Sequence, residues 1–396
     1  MLEFVDIVQF VKAFLNRISL IRKTSLKLAV VGGSNSVMRT GYFNYLAAYI
    51  NQATSRPTIL NYYALGGSTS IYGVIQQDRR DIAANSDVVF FEFCINDRYA
   101  IDEKQYSLEL AGQALEGFIR KVKKSNPTSL IVILIFRHLE NCYDDSCYLS
   151  ELYESVGRHY NLPVIDLTKS LNETQGLDYV TSLYDERDPA HFRRPQGVQF
   201  VAQAIVEELD RLGIIDAWRS GKKQYQAIDT PPIYSGNFES LAFFNRFNQG
   251  SFFVKRPRVY TFISTVIREK CFSIHEGNSL NFLLKGKLMA ILIKSDENDG
   301  FVDIKFGNQR IVTSSYSAWV NKIKPRNVVN LITLPLLRFS ESSDFAPLSI
   351  STCSEYPQDF ELEVFKVVPP QLEPRNWKLS IMGIVYSGEL KPLNSV

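Results

Sequence analysis

Between residues 27 and 213 the sequence alternates short apolar runs with longer segments whose apolar residues recur every three or four positions. This alternation is typical of a parallel sheet covered by helices, because each crossover between parallel strands needs a helix-sized connection. The predicted strands are residues 27–32, 58–65, 87–93, 129–135 and 162–166, and the predicted helices are residues 39–52, 72–84, 104–124, 148–160 and 196–212. The pattern therefore predicts a flavodoxin-like, three-layer α/β/α domain with a central parallel sheet of five strands.

The sequence changes character after residue 215. Basic and proline-containing segments predict a linker over residues 216–235, and residues 236–396 predict a smaller, all-β, sandwich-like domain. Its predicted strands include the apolar runs at residues 259–266, 280–284, 289–293 and 360–365. With residues 27–215 as the α/β domain, this gives two domains, as expected for a chain of 396 residues.

Residues 1–26 predict an amphipathic helix, because Phe4, Ile7, Val11 and Phe14 fall on one helical face. The early acidic residues and the missing cleavage site argue against a signal peptide. We expect the helix to dock on the adjacent domain or on a partner chain rather than on a membrane surface. The helix and the β domain are both candidate surfaces for a homo-oligomer.

Composition excludes several classes of partner. The formal net charge of +2 gives no strong field for nucleic acid, and no segment approaches the length of a transmembrane span. The five cysteines are odd in number and scattered, which favours a reducing, cytoplasmic location over a secreted disulfide framework. Cys142 and Cys147 are interpreted as two loop thiols rather than half of a zinc site.

Polar and glycine residues directly follow the first three predicted strands. Gly32-Gly33-Ser34 follows the first, Gly66-Gly67-Ser68 the second and Cys94-Ile95-Asn96-Asp97 the third. Ligands bind at the carboxyl ends of strands in such sheets, so these residues predict a site. Ser34 sits in a tight turn suited to a nucleophile, although a serine there also caps helices. Asn96 and a glycine amide at residue 66 or 67 can donate to an oxyanion, although both residue types also form turns.

Asp188 and His191 are a candidate acid and base. A carboxylate three residues before a histidine can hold one ring nitrogen protonated and leave the other free to accept a serine proton. The alternative is a surface salt bridge in a charged loop. Arg137 and His138 follow the fourth predicted strand and are candidate substrate-binding residues on that position alone.

Gly32-Gly33-Ser34, Gly67, Asn96 and Asp188-x-x-His191 resemble, in this order, the four sequence blocks of the SGNH (GDSL-like) hydrolase superfamily. The resemblance covers residues 27–213. It implies that Ser34 is the nucleophile, that Gly67, Asn96 and the Ser34 amide form the oxyanion hole, and that His191 and Asp188 complete the triad. Two departures mark a divergent member, because Gly33 replaces the usual Asp of the first block and Cys94 replaces the usual Gly of the third.

The resemblance implies acyl transfer through an acyl-serine, with no metal and no organic cofactor. Two acceptors of the acyl group are compatible with this chemistry. Water as the acceptor gives an esterase, and a sugar hydroxyl gives a polysaccharide O-acetyltransferase. We expect O-acyl groups of a carbohydrate or glycolipid as the substrate. A non-catalytic glycan-binding or scaffold protein is the other alternative. Aromatic residues of the β domain, among them Tyr316, Trp319 and Trp377, are candidates for a sugar platform, although core packing is the favoured role of each.

Overall fold

The structure is a computed structural model that describes residues 25–143, 147–221, 228–245, 258–263, 268–322, 327–370 and 373–393. The predicted N-terminal helix lies outside the described residues except for its last two positions. Contacts divide the chain into two compact units. The first comprises residues 1–64, 81–94 and 122–230, and the second comprises residues 65–80, 95–121 and 231–396.

The described helices of four or more α-helical residues are numbered in chain order. They are α1 (Ser34–Val37), α2 (Tyr42–Thr54), α3 (Ile71–Arg80), α4 (Cys94–Asp102), α5 (Leu108–Ser125), α6 (Tyr148–His159), α7 (Leu167–Gln175), α8 (Leu177–Ser182), α9 (Gln196–Arg211) and α10 (Ile214–Arg219). Five of them match the five predicted helices to within four residues at either end. The sequence pattern did not predict α1, α4, α7, α8 or α10.

The described strands of the first unit are β1 (Leu26–Gly32), β2 (Thr58–Tyr62), β3 (Val88–Glu92), β4 (Leu130–Ile135), β5 (Val164–Asp166), β6 (Tyr184–Asp185) and β7 (Asp188–Phe192). The first five form one parallel sheet in the order β2-β1-β3-β4-β5. This is the flavodoxin-like order, so the predicted five-stranded parallel sheet is confirmed. Strands β3 and β4 are buried along their whole length, as expected for parallel strands that are covered on both faces.

Helix α9 packs against α2 in the first unit. Its buried face carries Val198, Val201 and Ile205 at helical spacing, which matches the predicted apolar stripe. Helix α10 continues to Arg219, into the segment predicted as a linker. The Arg219 guanidinium donates to the Ala53 carbonyl at 2.9 Å, and this bond ties α10 to the last turn of α2.

The strands of the second unit are β8 (Ala242–Phe244), β9 (Arg258–Ile263), β10 (Arg268–His275), β11 (Ser279–Asp296), β12 (Phe301–Phe306), β13 (Gln309–Ser314), β14 (Asn327–Ile332), β15 (Ser342–Thr352) and β16 (Lys378–Pro392). All pair antiparallel, in the order β13-β12-β15-β11-β16-β10-β9, with β14 on β11 and β8 on β16. The predicted all-β domain is confirmed. Its core includes Phe272, Phe282, Ile291, Leu348 and Ile381.

Three predicted strands of this domain differ from the structure. The runs at residues 280–284 and 289–293 are halves of β11, a single strand of 18 residues that the intervening Lys285-Gly286-Lys287 does not break. The run at residues 360–365 contains a single isolated bridge, from Glu361 to Thr313, instead of a strand. The carboxylate of Glu363 explains this, because it accepts hydrogen bonds from the backbone amides of Thr333 and Leu334 at 3.0–3.1 Å and turns the chain inward.

Candidate active site

Ser34 is the first residue of α1, one step after the turn that ends β1. The Gly33 amide donates to the Glu92 carbonyl at 3.0 Å, which holds the turn against β3. A Cβ on Gly32 would lie 2.5 Å from the Glu92 carbonyl oxygen and 2.7 Å from Ser36 Oγ. Only glycine allows this close approach, so Gly32 fixes the turn that presents Ser34 at the carboxyl end of the sheet.

His191 and Asp188 lie on β7, which pairs antiparallel with β6 as a short two-stranded ribbon. The ribbon replaces the charged loop that the sequence suggested. His191 Nε2 lies 2.6 Å from Ser34 Oγ, and His191 Nδ1 lies 2.7 Å from Asp188 Oδ2. The separation of Nδ1 and Oδ2 is that of an ion pair, but Nδ1 makes no well-directed hydrogen bond. The His191 side chain is 15% exposed and that of Asp188 is 53% exposed, so the imidazole is shielded while the carboxylate meets solvent.

Asn35 connects the serine turn to the histidine strand, a role that sequence reasoning missed. Its side chain is buried, and Asn35 Nδ2 donates to the Ala190 carbonyl at 2.8 Å. Ala190 directly precedes His191 on β7. This bond therefore holds the backbone beside His191 against the residue that follows Ser34. The sequence offered one sign of this role, which is that the polar residue Asn35 directly follows the candidate nucleophile.

Asn35→Ala should lower kcat/KM for ester hydrolysis about fivefold, since one net hydrogen bond is worth about 1 kcal/mol and its loss frees the histidine strand. Steady-state kinetics on p-nitrophenyl acetate would measure this change. The kcat should fall more than KM rises, because the bond positions the base and does not hold substrate. An unchanged kcat would show that β7 is positioned without Asn35.

A buried carboxylate lies beneath the serine turn. Glu92 at the end of β3 is 1% exposed, and its Oε2 accepts from Ser36 Oγ at 2.7 Å. Ser36 Oγ also lies 3.0 Å from the Tyr42 hydroxyl. Burial first, and then the charge of Glu92, raises the pKa of Tyr42 well above its ordinary value, so the phenol stays protonated. The network joins β3, α1 and α2 below Ser34. Ser36 thus faces away from His191, which leaves Ser34 as the serine of this turn that contacts the imidazole.

Gly67 and Asn96 lie in the second unit. Asn96 is buried in the first turn of α4, and the neighbouring Asp97 is fully buried. Asp97 Oδ1 accepts from the Ser70 amide at 2.8 Å, which ties the segment that follows Gly67 to the helix that carries Asn96. Sequence reasoning gave Asp97 no role, although it directly follows Asn96. Gly67 has a φ of 65°, a left-handed conformation that favours glycine.

Aromatic residues of the β domain lie against Gly67. A Cβ at this position would lie 3.3 Å from Trp319 Nε1 and 3.5 Å from the Phe365 ring. Phe365 stacks on Tyr99 of α4, with ring centroids 5.3 Å apart and planes 17° apart, and Tyr99 is 48% exposed. Phe365 has a φ of 65°, which is uncommon for a bulky residue and marks a conformation imposed by its surroundings.

Gln105 helps to impose this conformation. Gln105 Oε1 accepts from the Val364 amide at 2.7 Å, and its Nε2 donates to the Leu362 carbonyl at 3.2 Å. The other two platform candidates are core residues, as favoured, because Tyr316 is 4% exposed and Trp377 is fully buried. Trp319 is therefore the one of the three that borders the candidate site residue Gly67.

Arg137 and His138 lie in different surroundings. Arg137 is buried and pairs with Asp166, with 2.7 Å between Nη2 and Oδ2. It lines a cavity of about 420 Å³ at the ends of β4 and β5. His138 is not among the lining residues, and its Nδ1 lies 3.7 Å from Glu140 Oε2. Their substrate-binding roles stay predictions.

Within the described part of the chain, no group of three or more His, Cys, Asp or Glu residues is arranged to hold a metal ion. None of the described helices has the length and apolar character needed to cross a membrane.

Several solved structures are similar to this chain. A two-domain esterase (CEX) active on acetylated mannans is similar over 95% of both chains, with a TM-score of 0.64 and 16% identity. The same esterase co-crystallized with mannopentaose matches over 96% of this chain and 95% of its own, with a TM-score of 0.62 and 14% identity. The lipase/acylhydrolase from Enterococcus faecalis covers 47% of this chain and 96% of its own, with a TM-score of 0.39 and 18% identity.

At these identities the two full-length matches show a shared fold across both domains. No protein with a curated description matches the sequence. Residues 31–193 match the model of the GDSL-like Lipase/Acylhydrolase family, a range that begins three residues before Ser34 and ends two residues after His191. Residues 31–193 therefore resemble a divergent GDSL-like (SGNH) hydrolase domain, and a second, all-β domain follows it in this chain.

Proposed function

We propose that this protein is a serine esterase that removes acetyl groups from a carbohydrate. The observation that carries the proposal is the alignment of Ser34 Oγ, the His191 imidazole and the Asp188 carboxylate, at 2.6 Å and 2.7 Å. Nε2 is within proton-transfer distance of the hydroxyl, and the carboxylate lies at the other ring nitrogen. The three side chains are therefore placed for attack by Ser34 with His191 as the general base.

In the proposed reaction Ser34 Oγ attacks the acetyl carbonyl while its proton passes to His191 Nε2. Asp188 stabilises the resulting imidazolium, which then gives the proton to the departing sugar oxygen. Water, activated by the same imidazole, hydrolyses the acetyl-serine and releases acetate. Family resemblance assigns the Ser34 and Gly67 amides and the Asn96 side chain to the oxyanion.

The choice of a carbohydrate rests on the aromatic residues beside Gly67 and on the esterases of the same fold. Trp319, Phe365 and the exposed ring of Tyr99 present flat apolar surface next to a proposed oxyanion donor. Such surface suits the apolar face of a sugar ring, whose hydroxyls are then free to meet polar groups. The full-length structural neighbour is described as active on acetylated mannans, which makes acetylated mannan the first substrate to test.

Release of acetate from acetylated mannan and acetylated xylan, measured beside hydrolysis of p-nitrophenyl acetate, tests this function. Acetate release from the polysaccharide that disappears in Ser34→Ala is the expected result. Transfer of the acetyl group to an added unacetylated glycan, without release of acetate, would instead show an O-acetyltransferase. Failure to hydrolyse any ester would favour a glycan-binding or scaffold protein.

Trp319→Ala should raise KM for an acetylated oligosaccharide about tenfold and change the hydrolysis of p-nitrophenyl acetate little. The reason is that a lost aromatic contact of about 1.4 kcal/mol weakens only a substrate that reaches the ring. Phe345 is a matched control, since it is a 37% exposed aromatic residue of the same domain, on β15. Phe345→Ala should leave both substrates unaffected. Equal effects of Trp319→Ala on both substrates would argue against a sugar contact.

A further inference from the structure

Two buried cysteines of the first unit are hydrogen-bond partners. Cys94 is the first residue of α4, and Cys147 is the residue that precedes α6. Both are free thiols, 2% and 4% exposed, and the Cys94 side chain hydrogen-bonds the Cys147 sulfur. Cys94 stands where the resemblance to the family leads one to expect a glycine. The departure therefore places a thiol against a second thiol, two residues before Asn96.

Cys147 also lines the cavity at the ends of β4 and β5. Its walls include Cys147, Cys142, Ser150 and the buried ion pair of Arg137 with Asp166. A volume of about 420 Å³ exceeds many times the roughly 30 Å³ that a water molecule occupies in the liquid, so a small polar molecule fits. The Cys147 sulfur is thus buried from bulk solvent but borders a polar cavity.

The surroundings favour the ionised form of one cysteine over the other. The hydrogen bond from Cys94, and then the Ser150 amide and the Arg137 charge, lower the pKa of Cys147 to about 5 against the opposing effect of burial. Burial raises the pKa of Cys142, although its thiol lies 3.4 Å from the Tyr184 hydroxyl. Thiolates beside an arginine react fastest with oxidants, so Cys147 is the reactive member of the cavity.

We propose that Cys94 and Cys147 are a reversible redox pair that reacts with a hydroperoxide admitted to this cavity. The Cys147 sulfur attacks one peroxide oxygen and breaks the O–O bond, which gives a sulfenic acid and, after protonation, water or an alcohol. The Cys94 sulfur then attacks the sulfenic sulfur, the hydroxyl leaves with the Cys94 proton as water, and a disulfide forms. One peroxide is reduced and two thiols are oxidised.

The disulfide itself does not depend on the proposed esterase function, but its consequence does. A bond between Cys94 and Cys147 joins the first residue of α4, the helix that carries Asn96, to the start of α6. Oxidation draws the two sulfurs from hydrogen-bond contact to the roughly 2.05 Å of an S–S bond, so the first turn of α4 shifts together with Cys94. Oxidation is therefore expected to displace Asn96 and to slow hydrolysis.

The first test is alkylation of the reduced, full-length protein with iodoacetamide, followed by peptide mapping. Cys147 should react at pH 6 at nearly its pH 8 rate, because it stays a thiolate above its pKa of about 5. An ordinary thiol with a pKa of about 8.5 loses roughly 75-fold over the same interval, from the change in thiolate fraction. A Cys147 that does not react, or whose rate falls like that of an ordinary thiol, would overturn the proposal.

The second test is oxidation with hydrogen peroxide, read by peptide mapping and by the rate on p-nitrophenyl acetate. A Cys94–Cys147 cross-link, a mass loss of two hydrogen atoms and a loss of rate of about tenfold are expected, all reversed by dithiothreitol. Cys142→Ser should behave like the natural chain. Cys94→Gly introduces the residue usual in the family. After treatment with peroxide, this variant should keep its rate on p-nitrophenyl acetate and form no cross-link.

The results of these tests distinguish the redox pair, its effect on hydrolysis and the proposed esterase function. Absence of the cross-link, or a cross-link to Cys142, would overturn the redox pair. A cross-link without loss of rate would overturn its effect on hydrolysis. A reduced protein that hydrolyses no ester would refute the proposed function, while the mass and mapping data would still decide the redox pair.

Discussion

Ser34→Ala is expected to lower kcat for ester hydrolysis by a factor of about 10⁴ to 10⁶, as removal of a serine nucleophile does in serine hydrolases. The reason is that His191 Nε2 faces Ser34 Oγ at 2.6 Å, while the other serine of the turn, Ser36, is hydrogen-bonded to Glu92. Steady-state kinetics on p-nitrophenyl acetate, with circular dichroism to verify folding, would measure the effect.

His191→Ala should cost about as much as Ser34→Ala, and the double variant should lose little more. Groups that act as a unit in one proton transfer give grossly non-additive effects. Multiplied losses in the double variant would mean that Ser34 and His191 act independently. That result would contradict the triad even if each single variant were impaired.

Asn96→Ala should lower kcat by a factor of about 10² to 10³, equivalent to roughly 2.7 to 4 kcal/mol of lost transition-state stabilisation. The effect falls on kcat because the amide donates to charge that develops during the attack. KM should change little. Asn96 is buried, so a thermal unfolding midpoint must accompany the kinetics.

Asn172 provides the control for this change. It is an exposed asparagine on α7, and Asn172→Ala should leave kcat unaltered. A normally folded Asn96→Ala protein that retains its full kcat would exclude Asn96 from the oxyanion hole. Loss of folding in Asn96→Ala would move the test to Asn96→Asp, which keeps the volume of the side chain but removes its donor when ionised.

The candidate site was largely predictable because its residues follow the strands. A parallel sheet presents the carboxyl ends of its strands at one edge, so Ser34 after β1 and Asn96 after β3 are marked by position as well as by type. Buried parallel strands are continuous apolar runs, which also made the five-stranded sheet evident from the sequence.

The supporting contacts were not predictable, because they join residues far apart in the chain. Asn35 contacts Ala190 across 155 positions, and Ser36 contacts Glu92 across 56 positions. No local pattern encodes such pairs. The ribbon of β6 and β7 was not predictable either, because Asp185-Glu186-Arg187-Asp188 has the composition of a surface loop.

In the β domain, local patterns were misleading for physical reasons. The apolar run at residues 360–365 has the alternation of a strand, but the buried carboxylate of Glu363 binds backbone amides instead. Gly286 lies between two runs that were predicted as separate strands, yet β11 runs through it, with a positive φ of 126° that glycine accepts. Long-range pairing overrode local propensity at both places.

The most direct test of the account is to label the full-length protein with a fluorophosphonate and to map the modified residue by mass spectrometry. We expect a single phosphonylated peptide that contains Ser34, no labelling in Ser34→Ala, and labelling retained in Ser36→Ala. Modification of another serine, or labelling that persists in Ser34→Ala, would contradict the assignment of Ser34 as the nucleophile.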